Sequence, residues 1–230
     1  MMIIMSGSIG AGKSELTKIV ADHLGTVPFY EPVEENPILP LFYKDPNRYA
    51  FLLQIYFLNK RFKSIKQAMQ DDNNVLDRSI YEDSLFFHMN AEMGRANMQE
   101  VQVYDDLFKN MMEELPYAAH KKAPDLLIHI EVSIDTMLDH ISKRGRSYEQ
   151  VDQDPSLIAY YQNLIDHYIP WYEAYDVSPK IKIDGDSADF VNDIEDRKKV
   201  LKQIDDKLLE IGKLTQSDYD ELMIKLDNLK

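Results

Sequence analysis

Gly7-Ser8-Ile9-Gly10-Ala11-Gly12-Lys13-Ser14 has the form G-x-x-x-x-G-K-[ST]. Glycines at those places let the backbone curl until successive N–H groups face inward, an anion nest at the start of a helix. Lys13 adds a point charge for the outer phosphates, and the Ser14 hydroxyl is a ligand suited to Mg²⁺. The apolar run 2–5 before the loop and the helix-forming run 15–20 after it supply the strand and helix it needs. The expectation is a nucleoside-triphosphate site with Mg²⁺, built on residues 7–14.

Asp77-Arg78-Ser79 follows a short apolar run, where a strand gives way to a helix. In open α/β sheets ligands bind at that edge, so Asp77 is placed to hold Mg²⁺ opposite Ser14, and Arg78 to spread over a phosphoryl group in transfer. A plain surface pair at a turn is the other reading. Glu31 follows the run 27–30, and a carboxylate there is placed to take a proton from an attacking hydroxyl. Glu34 and Glu35 compete for that role. Gln54 has apolar residues at ±3 and ±4, and Arg61 lies two turns along the same helix face. Asp83 and Phe87 sit on the next predicted helix. Amide, guanidinium, carboxylate and aromatic plate suit a pocket for a flat, hydrogen-bonding base; polar groups satisfied by backbone, with the Phe in the core, would look the same. Lys143-Arg144-Gly145-Arg146 is a dense basic cluster after a helix, fitting either a solvated turn or a lid over phosphates.

The elements that must position these groups alternate along the chain. Runs 2–5, 27–30, 74–76, 126–130 and 180–183 read as strands. Helical period covers about 14–24, 46–71, 80–93, 98–115, 135–143, 155–175 and 191–212. That order predicts an α/β domain around a parallel sheet. Ser79-Ile80-Tyr81-Glu82 forms a capping box, and Asp154-Pro155 places a capping acid before a proline at a helix start. Pro28, Pro32, Pro37 and Pro40 mark a stiff loop rather than a boundary. One domain spans 1–212, with an amphipathic helical tail at 213–230.

Composition narrows the function. With 26 Lys+Arg against 40 Asp+Glu the net charge is −14, so an anionic polymer or lipid surface is repelled by default. The absence of cysteine removes disulfides and zinc–thiolate sites, and the six His show no metal-ligand spacing. No apolar run approaches the ~18 residues of a spanning helix, and the start lacks the lead of a signal peptide. The chain is expected in the cytoplasm, without nucleic-acid or membrane partners. A GTPase switch is disfavoured: Asp22-His23-Leu24-Gly25 falls inside the first predicted helix, and Asn59-Lys60-Arg61-Phe62 lacks the guanine-reading aspartate.

Together the loop, Glu31-Pro32-Val33, Tyr43-Lys44-Asp45-Pro46-Asn47-Arg48, Gln54 with Arg61, Asp77-Arg78-Ser79 with Asp83, and Arg144-Gly145-Arg146 with Glu149 resemble the deoxyribonucleoside kinase family over about 1–212. The resemblance is greatest to its bacterial deoxyadenosine/deoxyguanosine kinases, through 36–41, Asp77 and 183–186. It implies a P-loop three-layer αβα fold with a five-stranded parallel sheet, a short arginine-rich lid and a homodimer packed through helices. It further implies Glu31 as general base for the deoxyribose 5′-hydroxyl, and Arg78 orienting Glu31 and the phosphates. Gln54, Arg61 and Asp83 would read the base edge with Phe87 stacking on its face. Tyr43 and Glu149 would hold the sugar 3′-hydroxyl, Arg144 and Arg146 would clamp the transferred phosphate, and the loop 184–190 would face the donor's adenine. Ser8 stands where this subgroup usually has Pro, and His140 where a third lid Arg is expected.

The expected activity is therefore ATP-dependent 5′-phosphorylation of a deoxynucleoside, deoxyadenosine first, with deoxyguanosine and deoxycytidine open. A nucleoside-monophosphate kinase of the thymidylate kinase type, or a nucleotide-sensing P-loop protein, are the alternatives.

Overall fold

The computed structural model describes all residues except Pro32, Glu34, Glu35, 69–72, 119–122 and Lys230, together with the backbone alone at 115–118. The competing acids Glu34 and Glu35 and the predicted helix end at 69–71 thus lie outside the described residues. Five strands, β1 (Met2–Gly7), β2 (Val27–Phe29), β3 (Asn74–Asp77), β4 (Leu126–Glu131) and β5 (Lys180–Asp184), form one sheet in the order β2-β3-β1-β4-β5. Every pairing is parallel. The central strands read as nearly continuous apolar runs because both their faces are covered.

Period two decides which face each residue serves. Ile3 and Met5 of β1 enter a core with Leu16 and Val20, whereas Met2 and Ile4 enter a second with Leu58, Ile80 and Tyr104. The first core is roofed by α1 (Lys13–Leu24), α7 (Leu157–Ala174) and α8 (Ile194–Glu210). The second lies under α3 (Pro46–Ala68), α4 (Ile80–Glu92) and α5 (Met98–Ala118). Three αβα layers result. Strand order reverses about β1, with β3 on one side and β4 on the other, so the carboxyl ends of β1 and β3 open the crevice expected at such a switch point.

Local chemistry corrects the sequence reading in two places. The proline-marked loop contains a short helix, α2 (Leu39–Lys44): Asn36 Oδ1 accepts from the N–H groups of Ile38 and Leu39 at 2.9 and 3.2 Å, and Pro40 occupies the first turn, where its missing N–H costs nothing. Asp154 does not start α7 directly. Its Oδ1 accepts from Ser156 N at 3.0 Å and Ser156 Oγ at 2.6 Å, making a side-chain turn, and the helix begins at Leu157. The capping box forms at α4, where Ser79 Oγ accepts from Tyr81 N and Glu82 Oε2 from Ser79 N at 2.7 Å. Between α7 and the preceding α6 (Ile134–Arg144) lies a single 3₁₀ turn, Ser147–Glu149. The tail is α9 (Gln216–Asp227), lying on α8 with Leu226 buried. Lys225 Nζ donates to the Asp22 and His23 carbonyls at the end of α1 at 3.0 and 2.6 Å. No helix of the described residues is long and apolar enough to cross a membrane.

Candidate active site

A cleft of about 950 Å³ lies at the carboxyl edge of the sheet, lined by the P-loop, by the ends of β2 and β3, and by Gln54 and Tyr160. At its phosphate end, β1 hands the chain into a loop that only glycine allows. Gly7 has φ 143°, and a Cβ there would stand 2.6 Å from the Ile130 carbonyl oxygen. Gly10, at φ 78°, would meet the Met137 carbonyl at 3.0 Å. Residues 9–14 line the cleft, but Gly7 and Ser8 lie beneath it. The Gly7 amide is not free for an anion, because it donates to Glu82 Oε1 at 3.2 Å. The Ser8 carbonyl accepts from Lys13 Nζ at 2.7 Å, folding the lysine back over its own loop. Burial and the nearby Arg78 push the Lys13 ammonium down to about 7.

At mid-cleft the strand ends deliver the charged groups. Ser14 Oγ donates to Asp77 Oδ2, joining α1 to β3. Asp77 Oδ1 is buried with no hydrogen-bond partner among the described residues, and burial raises the acid's pKa. An orphaned carboxylate oxygen beside a serine hydroxyl fits a hard divalent cation. Glu31, just beyond β2, accepts from Arg61 Nη2 at 2.9 Å through Oε1 and from Arg78 Nε at 3.2 Å through Oε2. Burial alone would raise its pKa, but Arg78, Arg61 and Lys13 outweigh it and hold the carboxyl at about 2. Glu31 is an obligate carboxylate facing the cleft.

Beyond it, Arg61 also forks onto Asp83, Nε to Oδ2 at 2.6 Å and Nη2 to Oδ1 at 2.8 Å. Burial lifts Asp83 to about 6 against the pull of that guanidinium. Gln54 is 4% exposed, lines the cleft, and has no hydrogen-bond partner among the described residues. An amide that lines the cleft without a partner from the described residues suits a ligand edge carrying both a donor and an acceptor. Tyr43, on α2, lines the cleft beside Glu149, and burial raises its hydroxyl well above the usual range. Arg144 Nη2 donates to Glu149 Oε2 at 2.5 Å, and Arg146 pairs with Oε1 at 3.6 Å, so both sequence-predicted lid arginines rest on the predicted sugar-binding acid. His140 donates from Nδ1 to the Gly10 carbonyl at 2.7 Å, tying α6 to the P-loop.

Phe87 is corrected. It is fully buried in the second core, 4.7 Å between ring centroids from Tyr104 and 5.9 Å from Phe51, and does not reach the cleft. Phe86 and Phe57 line the cleft instead. Two groups escaped the sequence reading altogether. Glu82 reads there only as a helix cap, and Tyr168 lies on α7 in no motif, yet both reach Arg78. Tyr168 lies 90 residues from Arg78, a contact no local pattern betrays, whereas Glu82 is only four residues on, its second oxygen hidden behind the capping role.

The description "Deoxynucleoside kinase" belongs to the family model that matches residues 3–210. A deoxyguanosine kinase of Lactobacillus johnsonii is 59% identical over 97% of this chain and 99% of its own. A deoxyadenosine kinase of Lactobacillus acidophilus is 58% identical over 93% of this chain and 99% of its own. Among solved structures, deoxyadenosine kinase from M. mycoides with bound dATP superposes with a TM-score of 0.73 at 32% identity, covering 90% of this chain and 99% of that one. With the site geometry described above, the chain belongs to the deoxynucleoside kinase family.

Proposed function

We propose that the protein transfers the γ-phosphoryl group of ATP to the 5′-hydroxyl of deoxyadenosine. The observation that carries the reading is the ionised Glu31, held between Arg61 and Arg78 in one cleft with the P-loop and the Gln54 amide. A nucleoside whose base reaches Gln54 lays its 5′-hydroxyl against Glu31, and a triphosphate on residues 9–14 lies beyond it. In the empty cleft Glu31 is too weakly basic to hold a proton. Outer phosphates draw Arg78 and Lys13 toward themselves, which loosens their hold on Glu31 and raises its basicity as the acceptor is attacked. Because phosphoryl transfer proceeds through a loose transition state, positioning and charge stabilisation by Lys13 and Arg78 carry most of the acceleration. Mg²⁺ would be held by Asp77 and Ser14 and would neutralise charge on the phosphates.

Gln54 favours adenine, since an amide matches the adjacent acceptor and amino donor of that base bidentately. Guanine is best met by an arginine fork, and the Nε and Nη2 of Arg61 are occupied by Asp83 and Glu31. The Gly7 and Ser8 backbone supports the nucleotide loop from below, Tyr43 and Glu149 take the sugar, and Arg144 and Arg146 leave Glu149 to close over phosphate. Phe86 takes the stacking role expected of Phe87. Exposed Met98 and Val103 on α5 are available to a homodimer contact. A coupled assay with deoxyadenosine, deoxyguanosine, deoxycytidine and dTMP tests the reading. Highest kcat/KM with deoxyadenosine is expected, and turnover of dTMP alone would refute it.

A further inference from the structure

Arg78 is the one non-glycine residue at positive φ among the described residues, at 76°. An L-residue rarely adopts that conformation, and it persists only where its surroundings over-determine it. Those surroundings are a buried knot of three elements. Glu82 is fully buried, and its Oε1 accepts from Tyr168 Oη at 2.6 Å and from the Gly7 amide at 3.2 Å, and lies 3.4 Å from Arg78 Nη1. Arg78 Nη1 donates in turn to Tyr168 Oη at 2.9 Å and to the Gly7 carbonyl at 3.5 Å. Tyr168 is fixed edge-on against Phe86, at 6.0 Å between centroids, and Phe86 also lies 4.8 Å beneath the guanidinium. The Nε of Arg78 is held by Glu31, and Nη2 makes no hydrogen bond to the described residues.

We infer that Glu82 and Tyr168 are positioning residues that set the guanidinium of Arg78 and the first amide of the P-loop as one unit, leaving Nη2 to the transferring phosphate. A helix cap needs only one carboxylate oxygen, and Oε2 fills that role at Ser79. Oε1 gives the α4 carboxylate a second task at the P-loop and the arginine. The guanidinium is thereby divided between two acids: Glu31 on the substrate side and Glu82 behind. Without the rear contact, Arg78 would be free to swing wholly onto Glu31, suppressing the base and withdrawing from the phosphate together.

The inference rests on the role proposed for Arg78 and is tested by a mutant cycle. Tyr168→Phe and Glu82→Gln are made alone and in an Arg78→Lys background, which keeps charge but loses the fork. Each single variant is expected to lose at least about 10-fold in kcat, with KM for both substrates within about threefold. In the Arg78→Lys background neither should cost more than about twofold further. Wild-type kcat in Tyr168→Phe, a loss confined to KM, or losses that multiply in the double variants would each overturn the inference. Should Glu82→Gln fail to fold, Tyr168→Phe decides alone, since it preserves the ring packing. Wild-type turnover by Arg78→Lys itself would instead defeat the proposed function of Arg78.

Discussion

Lys13 in the empty cleft releases its proton near pH 7, against 10.5 for a free lysine. Restoring the ordinary value takes about 5 kcal/mol. One phosphate charge ~4 Å away supplies about 4 kcal/mol at an effective dielectric near 20, so the outer phosphates of a bound triphosphate suffice. At pH 8 the empty site is about one-tenth protonated and the loaded site nearly fully so, giving an uptake of about 0.9 proton per nucleotide bound. The uptake makes affinity weaken with rising pH above 8, almost tenfold per pH unit. For the unliganded protein the sign is opposite. The unfolded chain binds more protons between pH 7 and 10.5, so its stability rises with pH across that window. Calorimetric titration of a non-hydrolysable ATP analogue at pH 8, in Tris and in phosphate, reads the proton number as the dependence of observed enthalpy on buffer ionisation enthalpy. A slope near 0.9, falling toward zero in Lys13→Met, is expected. A wild-type slope below about 0.3 would refute the reasoning that burial and Arg78 discharge this lysine.

Gln54→Leu should lower kcat/KM for deoxyadenosine by about 10–100-fold, the 1–3 kcal/mol of a lost bidentate base contact, and steady-state kinetics showing no loss would remove Gln54 from base reading. Phe87→Ala should reduce unfolding free energy by about 3–5 kcal/mol in guanidinium melts while leaving nucleoside KM little changed, as for a core aromatic rather than a stacking plate. Lys225→Met removes a cation from the carbonyl end of α1 and should cost about 0.5–1 kcal/mol of stability with kcat unaltered, measured by melts and initial rates.

Much of the frame was legible because its signals are local. β1 and β4, buried on both faces, announce themselves as apolar runs, and the glycines of the loop mark places where a Cβ would strike Ile130 or Met137. Gln54 stood out as an amide on an apolar face. The failures share a cause in geometry that sequence spacing does not carry. Phe86 and Phe87 lie three and four residues after Asp83, both on its side of the helix, and period alone cannot choose which enters the cleft and which meets Tyr104. The short α2 hid among prolines, because one of them occupies a helix start, where proline is tolerated. The strand order and the reach of Glu82 to Gly7 depend on pairings between elements far apart in the chain.

Because two guanidiniums keep Glu31 ionised to about pH 2, its carboxylate adds stability that is fully present above pH 4.5 and is lost progressively as pH falls from there through 2. In the unliganded protein it is therefore ionised at any working pH, and its removal is the direct test of its role. Glu31→Gln keeps the side chain's shape and an acceptor for Arg61. Single-turnover kinetics with saturating ATP and deoxyadenosine should show a loss of at least about 10²-fold in the chemical step, with ATP affinity retained. Phosphoryl transfer by Glu31→Gln at close to the wild-type rate would contradict a base at Glu31.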